Sequence, residues 1–317
     1  EMKRIPKDSE EYMNLHYRQY AFKVLANSMY GIMGASFSRY YKKELAEGIT
    51  LTGQHLLKLV WKWIQDEGHL PIYGDTDSIF VQLSGQTNPE VLAQRISQDL
   101  EQYLKANFNV TESHIKLAFE AKYKKFLMIS KKKYVGITEK NEVKVMGLEL
   151  KKRDTLPMAE KWQRELLDQL LYKDYEQSHY IEWAKEKRDL VFKGGLKKEE
   201  LTFQKRLSKE TEEYGGLSKT GRKLPIPRHV RVAIELKKKI GATLEKINLF
   251  SAGSYIPFIL INEKTKEVIH ADEFTGKYDE NYYLTACYDP SKRILEAIFP
   301  AVNWEEIKQQ YEQPTLF

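Results

Sequence analysis

Apolar residues recur along this chain first at helical spacing, then in short alternating runs, then at helical spacing again. Between Ser9 and Tyr30 the positions Tyr17, Ala21, Val24, Leu25 and Met29 repeat at intervals of three and four, which predicts a helix with a core-facing stripe. Ser9 stands where an N-cap is needed, Glu10 and Glu11 suit the positive end of the helix dipole, and Gly31 and Gly34 end the run. A second helix is predicted from about Lys42 to Asp66, burying Ile49, Leu56, Leu57, Val60, Trp61 and Ile64, with Gly68 closing it. Then two apolar runs, Leu70–Tyr73 and Ser78–Val81, flank Gly74-Asp75-Thr76-Asp77, the pattern of a tight β-hairpin.

Helix resumes from about Pro89 to Phe108. Short strands are expected near Ile115–Phe119, Lys125–Ser130, Tyr134–Thr138 and, after a turn at Glu139-Lys140-Asn141, Val143–Leu148. Beyond Arg153-Asp154 the character changes. Met158–Tyr172 and Tyr175–Val191 are amphipathic, and a polar, lysine-rich stretch runs to Lys223. Leu224–Pro227 reads as a linker or tight turn, and His229–Ile240 as helix. Strands at Tyr255–Ile261 and Glu267–His270 precede a last helical run near Ser291–Phe299. The main domain boundary is expected near residue 150, and the fold class is α+β.

Composition narrows the field modestly. The chain has 317 residues, enough for two or three modules, and a net charge of +6, which leans toward an acidic partner such as nucleic acid. One cysteine, Cys287, leaves no internal disulfide framework and no cysteine zinc site. No run approaches the ~20 apolar residues of a membrane span, so no membrane is expected, and the N-terminus has no signal-peptide core. The expected location is cytoplasmic, nucleoid-associated if the source is bacterial.

Three clusters carry candidate chemistry. Asp75 and Asp77, two residues apart at a hairpin turn, repel each other unless a cation sits between them, and hard oxygen ligands suit Mg²⁺. Taken alone, the same residues could simply hydrogen-bond their own turn. Lys23, Asn27 and Tyr30 lie at i, i+4 and i+7 on one helix face and offer a cation, an amide and an aromatic plate, which a nucleoside triphosphate needs. Alone, they also fit a core aromatic beside a solvated charge. Lys122, Lys124, Lys125, Lys131, Lys132 and Lys133 interleave with Tyr123, Phe126 and Tyr134. Strand alternation would put lysines on one face and aromatics on the other, a surface that tracks phosphates or a solvated edge that resists aggregation.

Taken in order, these segments resemble one family. Lys23–Gly31 matches the Lys-x-x-x-Asn-Ser-x-Tyr-Gly motif of the fingers helix of family B DNA polymerases, and Tyr73–Ser78 is similar to that family's Tyr-Gly-Asp-Thr-Asp-Ser hairpin. Lys131–Gly136 resembles its primer-grip motif, preceded by Phe119-Glu120. Gly147–Asp154 looks like the palm-to-thumb junction, and Pro227–Val230 and Tyr255–Phe258 look like thumb landmarks.

The resemblance implies a second fingers helix over 1–34, an incomplete palm with an antiparallel sheet over 35–150, and a mainly helical thumb over 151–317. It implies that Asp77 binds the catalytic metals with Asp75 in a supporting role and Glu120 as a weaker acidic neighbour. The metals would be two Mg²⁺ ions, with Mn²⁺ as a substitute. Lys23 would contact the incoming dNTP and could protonate the pyrophosphate, Asn27 would touch the same phosphates, and Tyr30 would sit under the nascent base pair. Lys131, Lys132, Lys133, Tyr134 and Arg153 would hold primer–template DNA.

One departure matters as much. The family's earlier Asp-x-x-Ser-Leu-Tyr-Pro motif is absent from the sequence, so an N-terminal chain or portion would have to supply that aspartate and any exonuclease. A split polymerase or a fragment of a longer one both fit. Gln313-Pro314-Thr315-Leu316-Phe317 resembles the pentapeptide by which bacterial polymerases hold the sliding clamp, with Gln313, Leu316 and Phe317 as its contacts. A non-catalytic module gripping primer–template and clamp is the alternative function. An unrelated two-metal nuclease fits less well, because such centres gather three or more acidic ligands.

Overall fold

A computed structural model describes residues 5–6, 8–108, 110–151, 155–217, 220–240 and 250–309. The chain divides into two compact units, Glu1–Ala121 and Lys122–Phe317.

The first unit opens with α1 (Glu10–Gly34), capped by the Ser9 hydroxyl, which accepts from the Tyr12 N–H. The predicted helix is therefore present, but its stripe is not covered. No residue of α1 is buried, and Tyr17, Val24, Leu25 and Met29 are all exposed. α1 meets α2 (Lys43–Asp66) at the start of the latter, where the Lys42 N–H donates to the Met33 carbonyl (2.9 Å). The core of this unit lies further along, where Leu56, Val60 and Ile64 of α2 face Leu92, Ile96, Leu100 and Leu104 of α3 (Pro89–Phe108). Ile49, expected in the stripe, is exposed, because α3 covers only the C-terminal half of α2.

Between these helices sits a two-stranded antiparallel hairpin, β1 (Leu70–Asp75) and β2 (Ser78–Gln82), with Asp75 opposite Ser78. Ile115–Phe119 forms no strand. No partner ladder is available to it, and it runs as an extended segment whose Leu117 N–H donates to Ser97 Oγ (3.1 Å).

The second unit holds two three-stranded antiparallel sheets and most of the buried apolar surface. β3 (Tyr123–Ser130), β4 (Lys133–Thr138) and β5 (Val143–Met146) form a meander. Its inner face contributes Leu127, Ile129, Val135, Ile137 and Val145 to a core shared with α4 (Pro157–Tyr172), α5 (Gln177–Phe192) and α8 (Glu280–Ile298). That packing places the division between units before β3, whereas the sequence suggests a boundary near residue 150. A single turn, α6 (Lys198–Leu201), leads into β6 (Phe203–Arg206), which pairs with β7 (Tyr255–Asn262), itself paired with β8 (Glu267–His270). α7 (Arg228–Ile240) packs on β7, and α9 (Trp304–Gln309) is tied to α5 by the buried Arg188, which donates to the Ile307 carbonyl (2.8 Å).

β6 and α8 also differ from the sequence reading. β6 lies inside the stretch read as merely polar, because Phe203 is the one apolar residue among its four. α8 begins eleven residues before Ser291. Pro290, which looks like a breaker, is buried inside it, and Asp279 caps the start by accepting from the Tyr282 N–H.

Candidate active site

The hairpin tip is a two-residue loop. Asp75 ends β1, Thr76 takes a left-handed conformation (φ 55°), and the Asp77 N–H folds back onto the Asp75 carbonyl at 2.6 Å. A β-branched residue rarely adopts a positive φ, and such strain is tolerated where the surroundings fix the backbone. Here the fixing contacts are local. Ser78 Oγ donates to the Asp75 carbonyl (3.2 Å), and Thr76 Oγ1 donates to Asp75 Oδ1 (3.2 Å). Below the tip, Gly74 lies flat on α2, with a Cβ at that position 3.5 Å from Leu57 and 3.6 Å from Trp61. The result presents Asp77 as an exposed carboxylate with no hydrogen bond or ion pair to its side chain among the described residues, while Asp75 is half-buried.

Lys23, Asn27 and Tyr30 are exposed along α1, and among the described residues neither the Lys23 ammonium nor the Asn27 amide has a hydrogen-bond partner. α1 joins α2 near Lys42 and Ala46, whereas the hairpin rests on Leu57 and Trp61. At 1.5 Å per residue, the eleven residues from Ala46 to Leu57 separate these attachment points by about 16 Å along the helix. Glu120 is exposed in the extended segment before β3, and no three His, Cys, Asp or Glu side chains gather into a metal-ligating group among the described residues. Asp75 and Asp77 suit a hard divalent cation chemically, but they are too few to hold one alone.

The lysine-rich segment is arranged differently from the simple alternation. Phe126 and Tyr134 share one sheet face with ring centroids 5.4 Å apart, and Tyr123 lies edge-on to Phe126 at 5.3 Å. The opposite face is core, not a row of lysines. The lysines are divided. Lys122 pairs with Glu139 (2.8 Å), Lys124 donates to Asn141 Oδ1 (2.8 Å), and Lys125 reaches Asp174 (3.2 Å). Lys131 and Lys132 form the β3–β4 turn, with Lys132 left-handed (φ 63°), and Lys133 opens β4.

Gly136 takes the ring of Tyr123, because a Cβ there would lie 2.6 Å from its Cδ1. Sequence spacing gives no sign of that aromatic-over-glycine pairing, which depends on the register between β3 and β4. Arg153, Gln313, Leu316 and Phe317 fall outside the described residues.

Comparison with known proteins gives this arrangement its family. Residues 1–298 match the model of DNA polymerase family B. The chain is 30% identical to a DNA polymerase of Archaeoglobus fulgidus over 301 residues, 93% of this chain and 37% of that protein. It is also 30% identical to DNA polymerase II of Escherichia coli over 303 residues, 89% of this chain and 36% of that one. The structure of the family B DNA polymerase from Pyrobaculum calidifontis superposes with a TM-score of 0.58 at 25% identity, covering 95% of this chain and 36% of that one. The chain belongs to DNA polymerase family B. It spans little more than a third of the length of these relatives.

Proposed function

We propose that the chain is the catalytic C-terminal portion of a DNA-directed DNA polymerase, a nucleotidyltransferase that extends a primer with deoxynucleotides. The observation that carries this reading is Asp77, an exposed carboxylate held by a strained loop at a hairpin tip in a chain of this family. In the reaction the primer 3′-oxygen attacks the α-phosphorus of the dNTP, and the bond to pyrophosphate breaks in line. Asp77, with Asp75 in support, would hold Mg²⁺ or Mn²⁺, which when bound neutralises charge on the attacking and leaving oxygens. Lys23 meets the triphosphate and can protonate the departing pyrophosphate, Asn27 binds the same phosphates, and Tyr30 stacks beneath the new base pair. Lys131, Lys132, Lys133, Tyr134 and Arg153 hold the primer–template.

On this reading residues 1–34 are fingers, 35–150 palm and 151–317 thumb, and an N-terminal portion, in the same chain or another, supplies the remaining metal-binding aspartate. Two observations support that requirement. The described residues hold no three-ligand metal cluster, and α1 exposes Phe22, Leu25 and Met29 with nothing from the described residues over them. The tail around Gln313, Leu316 and Phe317 would bind a sliding clamp. Primer extension with Mg²⁺ and four dNTPs, with and without the N-terminal portion, tests the proposal. Extension only by the combination is expected, and extension by these 317 residues alone would refute the requirement.

A further inference from the structure

A short strap leaves β5 and ties the β3–β4 turn to the helices. At its start Gly147 is left-handed (φ 69°) and lies against the Lys132 carbonyl, so closely that a Cβ would meet the Lys132 carbonyl carbon at 3.0 Å and Lys133 Cγ at 3.1 Å. Glycine is required there on both counts. Leu148 follows in the core. Glu149 comes next, and its side chain is only 12% exposed. One carboxylate oxygen lies 3.3 Å from Arg293 Nη2 of α8, and the other accepts from Gln163 Nε2 of α4 at 3.3 Å. Its backbone carbonyl accepts from Thr155 Oγ1 at 2.8 Å.

For stability alone this is a poor use of a carboxylate. Glu149 is largely buried but its partner Arg293 is half exposed, so the pair adds little to stability, whereas two anchors on one carboxylate do fix its position. What it fixes here lies two residues upstream, where the strap presses on the backbone of the turn that carries Lys131, Lys132 and Lys133.

We propose that Glu149 is a positioning residue for DNA: anchored to Arg293 and Gln163, it braces the strap and so holds the Lys131–Lys133 turn at the height where it meets phosphates. The proposal rests on the DNA-binding part of the proposed function.

The sign of the effect separates bracing from bulk charge. Glu149→Gln removes a negative charge, so electrostatics alone would tighten binding to duplex. Loss of the brace loosens it. Anisotropy titrations of a labelled primer–template with the full chain, across a range of NaCl, read both affinity and salt slope. Glu149→Gln should weaken binding and flatten the slope by about one, as expected when one phosphate is left unneutralised. Lys132→Gln should flatten it equally, and the double variant should flatten it no further. Gln163→Met cuts the other anchor of the same carboxylate without changing charge and stands in if Glu149→Gln does not fold.

Folded Glu149→Gln and Gln163→Met proteins with the wild-type slope would overturn the proposal. So would additive slopes in the double variant. A wild-type chain that binds no duplex would instead remove the DNA-binding reading, and this inference with it.

Discussion

The two units of this chain solve the problem of burial differently. The second buries its apolar surface internally, with Trp162, Leu166, Tyr283, Tyr288 and Ile294 essentially inaccessible among two sheets and the helices α4 to α9. The first has a small core confined to half of α2, α3 and the hairpin, and its longest helix buries nothing. Yet the first unit carries the groups proposed to handle triphosphate and metal, while the second carries those proposed to hold the primer. Apolar residues at helical spacing thus predict the helix of α1 but not the burial of its face. On the proposed function, catalysis falls to the unit with the smaller core, and the DNA grip to the unit with the larger one.

Melting should expose that contrast. Trp162→Ala should cost the second unit about 3–5 kcal/mol, against about 2–5 kcal/mol for Leu100→Ala in the first. Calorimetry should show each substitution lowering its own transition, with the first unit melting earlier. A single transition lowered equally by both would erase the distinction.

Next in size is Gly147→Ala, where a positive φ and a carbonyl collision add, for about 2–4 kcal/mol in chemical denaturation. Gly74→Ala makes only ordinary contacts with Leu57 and Trp61 and should cost far less. Smaller still, Phe22→Glu with Leu25→Lys should change stability by no more than about 0.5 kcal/mol. The same pair should reduce self-association in sedimentation velocity and weaken capture of the N-terminal portion. A large loss of stability would mean that α1 is packed.

The smallest effect is one of pH. A hydrogen bond from Lys292 holds the Glu305 carboxyl below its ordinary value, with Gln309 and Lys308 assisting against partial burial. A lowered folded value means that the stabilisation is present above the unfolded carboxylate range and is lost as pH falls through the folded value. Glu305→Gln should therefore flatten the acid limb of stability slightly, since the pair is largely solvent-screened.

Much of the fold is legible in the sequence because long amphipathic helices announce themselves. α2, α3, α4 and α5 lie within a few residues of their predicted bounds. The departures have physical causes. Pro290 looks like a stop but occupies a helix whose neighbours hold it in place, and four-residue β6 lacks enough period to be seen. Ile115–Phe119 has strand composition but no ladder to join. At the site, the hairpin and the α1 face can be read from spacing. The division of the lysines cannot, because it depends on Glu139, Asn141 and Asp174 arriving from elsewhere. Glu149 stands in the junction motif, but only the fold brings Gln163 and Arg293 to it.

Catalysis at the hairpin is tested most sharply by primer extension with the chain and its N-terminal portion combined, comparing wild type with Asp77→Ala. If Asp77 holds the metal as proposed, its removal should lower the rate by on the order of 10³-fold or more, with duplex affinity retained. Asp77→Ala extending primers at the wild-type rate would refute a catalytic role for the hairpin.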